Sequence, residues 1–354
     1  MRTLSFCLTL AVLLSASALA AAADFTRHDH FPSPARYGVV GSALPDGRLL
    51  LWNGEQVYAQ EMPGVDQFRA MASGYAGDPA FLILSPDGHT ALLGAGGYGT
   101  DPFLDKIYRY DTNNPRDYAP DAVAAEIPHF AATFLTDTLV LIDAGAGDWV
   151  NSVLVVLDLS GAKSGLVPVV LKPSAKADTV LPKPGYSAAL SVDRARGRVY
   201  AMDAASLELR WFSFAALLNA YNTHTPLEWA TDGTPVGAPG QYFNGGVSGI
   251  TPEGYLVIGG ALGWGLAGGV QYVNPESGAI VQTQDPSGRQ AYTSVIYNGV
   301  TGRVTVMSEG LTYVEGALSE LPVAGSLGLT FLMAAFPAAF VLRRRWARPW
   351  PAVR

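Results

Sequence analysis

Apolar and polar positions alternate along this chain in short blocks rather than in long stretches. Phe81–Leu84 and Thr90–Ala95 are apolar runs that flank the turn Ser85-Pro86-Asp87-Gly88. Proline presets φ for such a turn, aspartate bonds its own backbone, and glycine accepts positive φ. Because the flanking runs are rich in Leu, Ile and Ala with little alternation, the pattern predicts a β-hairpin whose strands are covered on both faces.

The same unit recurs six times between residues 35 and 316. Each copy has an apolar strand, a polar turn, a second apolar strand, a polar or glycine-rich connection and a third strand. The copies start at Tyr37, Ala80, Phe130, Tyr186, Gly246 and Tyr292. A period of about 40 to 60 residues with three or four strands a copy favours an all-β β-propeller of about six blades, seven at most. A β-sandwich pair or a β-helix is the alternative.

These repeats resemble the YVTN- and NHL-type propellers, and the resemblance implies radial sheets around a central channel. The sixth copy has only three clear strands, so we expect the segment Asp24–Pro32 to supply a fourth and close the ring. Pairing of this segment elsewhere on the ring is the alternative. One segment departs from the pattern: "FSFAALLNAYN", Phe212–Asn222, predicts a short helix inserted after a third strand.

The first 23 residues are typical of a secretory signal peptide. Arg2 precedes an apolar run that ends in Ala-x-Ala at Ala18-Leu19-Ala20 or Ala21-Ala22-Ala23. A buried N-terminal helix is the alternative. The single cysteine of the chain, Cys7, lies in this segment, so the mature chain is predicted to lack disulfides and zinc sites built on cysteine.

The C-terminal 36 residues combine a proline motif, an apolar run and a basic cluster. Leu321–Leu342 carries no charge, and its 22 residues at about 1.5 Å each would cross a bilayer core as a helix. Arg343, Arg344 and Arg345 follow directly, which predicts a cytoplasmic tail over 343–354 and a propeller over 24–318 outside the cytoplasm. A buried core helix is the alternative.

This tail resembles the PEP-CTERM sorting signal over residues 319–342 and the arginines that follow. The sequence Glu320-Leu321-Pro322 stands where that family has Pro-Glu-Pro. The resemblance implies an exosortase-like enzyme as a processing partner and release to the cell surface or the extracellular matrix. A permanent inner-membrane anchor facing the periplasm is the competing interpretation.

Charge narrows the range of partners. The chain has 23 Lys+Arg and 30 Asp+Glu, and its formal net charge is −7. Six of the basic residues lie in the two end segments, so the part between them is more acidic still. Since an acidic surface repels phosphate backbones, nucleic acid is not expected as a partner. Such a surface attracts cations, and calcium is the candidate cofactor.

Candidate binding residues lie in three connections between second and third strands. These connections are rich in glycine, and each carries an aromatic side chain, with an acid in two of them: Tyr98, Asp101, Asp148, Trp149 and Trp264. Loops on a rigid scaffold are common binding sites, so a sugar or peptide ligand, such as a matrix polysaccharide or a protein, is predicted here. Alternatively, the aromatic residues cap the space between blades.

Metal ligands and catalytic motifs are sparse. His28 and His30 stand at i and i+2, on one side of a strand, which suits a shared metal, although a solvated polar terminus is the alternative. The EF-hand pattern and the G-x-S-x-G elbow are both missing. The sequence therefore predicts an anchored binding or scaffold module of the bacterial envelope. A metal-dependent lactonase or hydrolase that uses the central channel is the alternative, and a purely structural envelope protein is the third.

Overall fold

The computed structural model describes most of the repeat region of the chain. The described residues are 26–28, 39–75, 77, 79–95, 106–114, 122–124, 129–145, 152–160, 166–171, 190–202, 208–237, 243–263, 266–284, 292–308 and 313–317. All of them belong to the first of two units into which the chain divides, Met1–Leu318. The predicted signal peptide, apolar span and basic tail lie outside the described residues.

The described strands form six sheets, numbered here as blades in chain order. Blade 1 contains β2 Val40–Ala43, β3 Leu49–Trp52, β4 Gln56–Gln60 and β5 Phe68–Ser73. Blade 2 contains β6 Pro79–Leu84, β7 Thr90–Ala95, β8 Lys106–Asp111 and β9 Ala122–Ala124. Blade 3 contains β10 His129–Phe134, β11 Leu139–Gly145, β12 Ser152–Asp158 and β13 Val167–Leu171.

Blades 4 to 6 follow the same order with two differences. Blade 4 has an insertion before its fourth strand, and the fourth strand of blade 6 comes from the N-terminal segment. Blade 4 contains β14 Ser191–Asp193, β15 Arg198–Met202, β16 Leu209–Ser213 and β18 Thr234–Gly237. Before β18 come helix α1 Phe214–Thr223, strand β17 Leu227–Glu228 and helix α2 Trp229–Asp232. Blade 5 contains β19 Phe243–Ile250, β20 Leu256–Gly263, β21 Leu266–Val273 and β22 Ile280–Gln284. Blade 6 contains β23 Tyr292–Asn298, β24 Arg303–Ser308, β25 Tyr313–Ala317 and, from the other end of the chain, β1 Thr26–His28.

The innermost strands of the blades form a closed ring. Each contacts the innermost strand of the next blade in the order β2, β6, β10, β14, β19 and β23, and β23 contacts β2. The ring confirms the predicted propeller and excludes a face-to-face sandwich or a coil of stacked rungs. Six sheets lie among the described residues, so no seventh blade is needed to close it.

The predicted fourth strand of blade 6 comes from the N-terminal segment. Strand β1 pairs antiparallel with β25, with Thr26 opposite Glu315 and His28 opposite Tyr313. This pairing covers an edge that the chain would otherwise expose at the last blade. The ring is therefore held together by residues from its two sequence ends, as the sequence predicted.

Apolar side chains fill the spaces between blades rather than one central core. In β3, Leu49 and Leu51 face blade 6, while Leu50 and Trp52 face blade 2. Similar clusters lie between blades 2 and 3, 3 and 4, and 4 and 5. Because side chains alternate between two buried faces, such strands are apolar throughout, which is why the sequence shows little alternation.

The inserted helix begins two residues later than the sequence predicted. Phe212 and Ser213 still pair with Val199 and Arg198 in the sheet, and the Ser213 hydroxyl caps the helix by accepting from the Ala216 amide. The insertion then crosses to blade 3, where β17 pairs parallel with β13. The helix Phe214–Thr223 is the longest in the described part of the chain, and none there is long and apolar enough to cross a bilayer.

Candidate functional site

The strand directions give the propeller two different faces. Turns between first and second strands and between third and fourth strands lie at one end of the blades, which we call the turn face. Connections between second and third strands lie at the other end, the loop face. The pairing of Ala95 with Lys106, Gly145 with Ser152 and Gly263 with Leu266 fixes three such connections at the loop face.

The predicted ligand residues belong to these three connections. Because each connection starts and ends at the loop face, the topology agrees with the predicted common face for them. Tyr98, Asp101, Asp148, Trp149 and Trp264 themselves lie outside the described residues. Their proximity to one another stays a prediction.

An ion-pair network joins blades 4 and 5 at the turn face. Arg198 donates to both carboxylate oxygens of Glu276, at 2.6 and 3.2 Å, and its guanidinium lies 4.4 Å from the centre of the Trp211 ring. These hydrogen bonds lower the pKa of Glu276 and raise that of Arg198. Next to them, Arg196 donates to the buried carboxylate of Asp193 at 2.9 Å. All four charged groups are satisfied within the network, so it joins the blades rather than binding a ligand.

Other neighbouring blades are also joined through their turns. Arg194 of blade 4 donates to the carbonyl oxygens of Leu135 and Phe134 in blade 3, at 2.8 and 3.2 Å. Asn298 of blade 6 donates to the carbonyl of Gly47, in the β2–β3 turn of blade 1, at 2.7 Å. Contacts of this kind hold the blades in place, so the turn face has a structural role.

A cavity of about 260 Å³ lies between blades 1 and 2 at the turn face. Leu50, Ala59 and the buried Tyr110 are among its apolar lining, and burial raises the pKa of Tyr110 to about 12. The charged side chains at the rim of the cavity include Arg48 and Asp87. Each of these side chains already has a local partner, Asp46 for Arg48 at 2.7 Å and Ser85 for Asp87. The hydrogen bond from Ser85 is the main reason that the pKa of Asp87 is lowered.

A buried carboxylate lies near the loop face in blade 3. Asp143 is 2% exposed and stands two residues before the end of β11. Asp143 lies on the same side of β11 as Leu141, which faces blade 4. In the sheet it pairs with Ala131 of β10 and Leu154 of β12. Burying a charge in an apolar wall is costly unless a partner compensates it. Asp143 and Asp193 are the buried acids of the described chain, and only Asp143 lies toward the loop face.

Asp143 was not among the residues predicted from the sequence. The signal was present in "LVLIDAG", where one acid interrupts an apolar strand. That pattern also fits an acid at the exposed end of a strand, and the burial that distinguishes the two depends on blade 4, which is distant in sequence.

The predicted metal site at His28 and His30 stays a prediction, because only the backbone of His28 is described. His28 lies in β1, opposite Tyr313, and His30 lies outside the described residues. Across the described ranges, no group of three or more His, Cys, Asp or Glu side chains is arranged to hold an ion.

Comparison with known proteins identifies the fold. The chain matches no family model and no curated protein sequence. Solved structures that it resembles include a luciferin-regenerating enzyme, with TM-score 0.55 and 12% identity over 81% of this chain and 94% of that one. A gluconolactonase from Xanthomonas campestris gives 0.53 and 11%, over 84% and 92%. Regucalcin, a calcium-binding protein from Agrobacterium tumefaciens, gives 0.50 and 14%, over 82% and 94%. At these identities the likeness establishes a β-propeller repeat fold.

Proposed function

We propose that this chain is a hydrolase that opens a lactone or a related small ester at the loop face of its propeller. The observation that carries the proposal is the buried carboxylate of Asp143 near that face. The class of reaction is suggested by the Xanthomonas gluconolactonase, which shares the fold over most of both chains. The enzyme alternative raised by the sequence thus has more support than the binding module.

A carboxylate near the loop face suits this chemistry. Opening a lactone ring requires a water to attack the carbonyl carbon and the ring C–O bond to break. A positioned carboxylate accepts the proton that this water loses and returns it to the departing ring oxygen, which gives the hydroxy acid. Leu141 and Leu154 flank Asp143 in the wall between blades 3 and 4, where the Asp143 side chain is buried. The carboxylate would therefore act as a positioned base from the wall between blades 3 and 4.

Calcium is the cofactor that regucalcin's description suggests for a fold of this kind. Calcium takes six to eight oxygen ligands in proteins. In the described part of the chain, Asp143 supplies a single buried carboxylate near the loop face, and no set of three acidic or histidine ligands accompanies it. The described residues thus do not fit a metal centre, and the proposed step does not involve one.

Hydrolysis of a panel of lactones by the purified full chain tests the proposal. Glucono-δ-lactone and simple γ-lactones are supplied at neutral pH, and acid release is followed with a pH indicator. Parallel samples contain Ca²⁺, Mn²⁺, Zn²⁺ or a chelator. We expect release at least about tenfold above the spontaneous rate for one substrate class. Spontaneous rates throughout the panel, with and without metal, would overturn the proposal.

The second candidate is a binding module for a polysaccharide or protein. It is supported by the described strand ends, which lie at the loop face on either side of three glycine-rich connections. The sequence of these connections includes Tyr98, Trp149 and Trp264. Replacing Trp149 and Trp264 together by alanine would then abolish binding to isolated matrix polysaccharide. Under the hydrolase proposal, polysaccharide binding is absent before and after the substitution.

We further propose that the chain is exported and anchored. Residues 1–23 would direct export, Leu321–Leu342 would cross the inner membrane, and Arg343–Arg345 would stay in the cytoplasm. Processing near Pro322 by an exosortase-like partner would release the propeller to the surface. The mass of the mature species tests both steps: cleavage after Ala23 alone leaves the span attached, and a second cut removes it.

A further inference from the structure

Both ends of the propeller chain approach the ring from the turn face. Strand β25 runs toward this face, because Ala317 pairs with Arg303, the first residue after the turn of blade 6. Strand β1 is antiparallel to β25, with Thr26 opposite Glu315, so the chain enters from the same side. The described chain therefore enters and leaves the propeller at the turn face.

The C-terminal connection is short. Leu318, Ser319 and Glu320 separate Ala317 from the uncharged run Leu321–Leu342. Four Cα–Cα steps reach at most about 14 Å. If the run crosses a bilayer, this tether brings the point where β25 ends close to the lipid surface.

Exposed apolar side chains also lie at the turn face, where β25 ends. The two most exposed large apolar residues in the described ranges are Val300 at 61% and Met62 at 58%. They belong to turns of blades 6 and 1, and Val300 and Pro63 both line the space beside Gly47. Ile280, 43% exposed, is also at the turn end, opposite Val273. We define Met62, Pro63 and Val300 as the junction patch.

We propose that the turn face rests on the membrane surface through the junction patch and that the loop face points away from the lipid. The inference rests on the proposed membrane anchor. At a bilayer interface, exposed apolar side chains of this kind bury their surface among the lipid headgroups. The lipid is identified as the occupant because the short tether leads there. The loop face, with the end of β11 that carries Asp143, would then face the periplasm or the medium.

Single cysteines test this orientation, because Cys7 is the only native cysteine and lies in the predicted signal peptide. Met62→Cys and Val300→Cys place a label on the junction patch. Glu55→Cys is the matched control, since Glu55 is exposed at the β3–β4 connection of blade 1, on the loop face. The full chain without its signal peptide is labelled with an environment-sensitive fluorophore and reconstituted in phosphatidylcholine vesicles that contain a headgroup-linked quencher.

We expect quenching at positions 62 and 300 to be at least about twice that at position 55, since the loop face lies a blade's height further from the lipid. Equal quenching at all three positions, or more at 55, in vesicles that carry the protein would overturn the orientation alone. If the chain does not float with the vesicles, both the anchor and the orientation are wrong. Lactone turnover is measured separately and is independent of either result.

Discussion

Asn298 and Gly47 are 251 positions apart in sequence, and the Asn298 side chain donates to the Gly47 carbonyl at 2.7 Å. The same side chain accepts from the amides of Val300 and Thr301. One buried amide thus organises the turn of blade 6 and ties it to the turn of blade 1, where the ring closes.

Replacing Asn298 by alanine should destabilise the closed ring. The substitution leaves one buried carbonyl and two turn amides without this partner, which costs about 2–3 kcal/mol of unfolding free energy. Urea unfolding measures the change. Asn113→Ala is the control, because Asn113 is exposed and its substitution should cost no more than about 0.5 kcal/mol. Equal losses for the two variants would show that Asn298 does not link the blades.

Deleting Thr26–His28 should open the ring at blade 6. Without β1, the edge of β25 is exposed, and those amides of Tyr313–Glu315 that face β1 should exchange with solvent at least about tenfold faster. Hydrogen–deuterium exchange followed by mass spectrometry measures this. A variant with three alanines at 26–28 keeps the backbone and should retain the protection. Unchanged exchange after the deletion would contradict closure by β1.

The Arg198–Glu276 pair should stabilise the protein only above acidic pH. The Arg198 hydrogen bonds lower the pKa of Glu276 in the folded protein below its ordinary value of 4.5. This stabilisation is therefore present above about pH 4.5 and lost as the pH falls through the lowered value. Since Glu276 is largely exposed, Glu276→Gln should cost only about 0.2–1 kcal/mol at pH 7.

Thermal unfolding at pH 7 and pH 3 measures the stability that Glu276→Gln removes at each pH. The gap between the original chain and Glu276→Gln should shrink at pH 3. Glu253→Gln, an exposed acid in another turn of blade 5, should leave stability unchanged at pH 7. A Glu276 effect that is the same at both pH values would mean that the stabilisation does not depend on its charge.

Gly259 lets blades 5 and 6 approach closely. A Cβ at this position would lie 2.8 Å from Cβ and 2.9 Å from Cγ1 of Val295. Gly259→Ala should therefore destabilise the protein by about 1–3 kcal/mol through overpacking. Adding Val295→Ala removes Cγ1 and Cγ2 and leaves only Cβ close to the new methyl group, so the double variant should lose less stability than the sum of the single variants. Additive losses would contradict the close approach.

Features that depend on residues close together in the sequence could be predicted from the sequence alone. The Pro86-Asp87-Gly88 turn and its flanking strands form the predicted hairpin, with Gly88 at φ 72°. The helix and the closing strand were also predicted, because a lone amphipathic segment and a missing fourth strand are visible as departures from the repeat. Repetition made the fold readable from a single chain.

Features that depend on contact between blades were not predictable. The parallel pairing of Leu227 with Val170 joins an insertion of blade 4 to blade 3, and no local pattern encodes it. The burial of Asp143 likewise depends on side chains of blade 4. The predicted ligand residues, including Trp149 and Trp264, lie outside the described residues, so their arrangement stays a prediction.

The most direct test of the proposed function compares Asp143→Asn with Asp193→Asn. Both replace a buried acid in adjacent blades, but Asp143 lies toward the loop face and Asp193 pairs with Arg196 at the turn face. On the lactone that the chain hydrolyses best, we predict that Asp143→Asn lowers kcat/KM at least about tenfold, while Asp193→Asn changes it less than about twofold. Thermal unfolding of both variants gives the stability change for comparison. Equal kcat/KM in the two variants would contradict a catalytic carboxylate at the loop face.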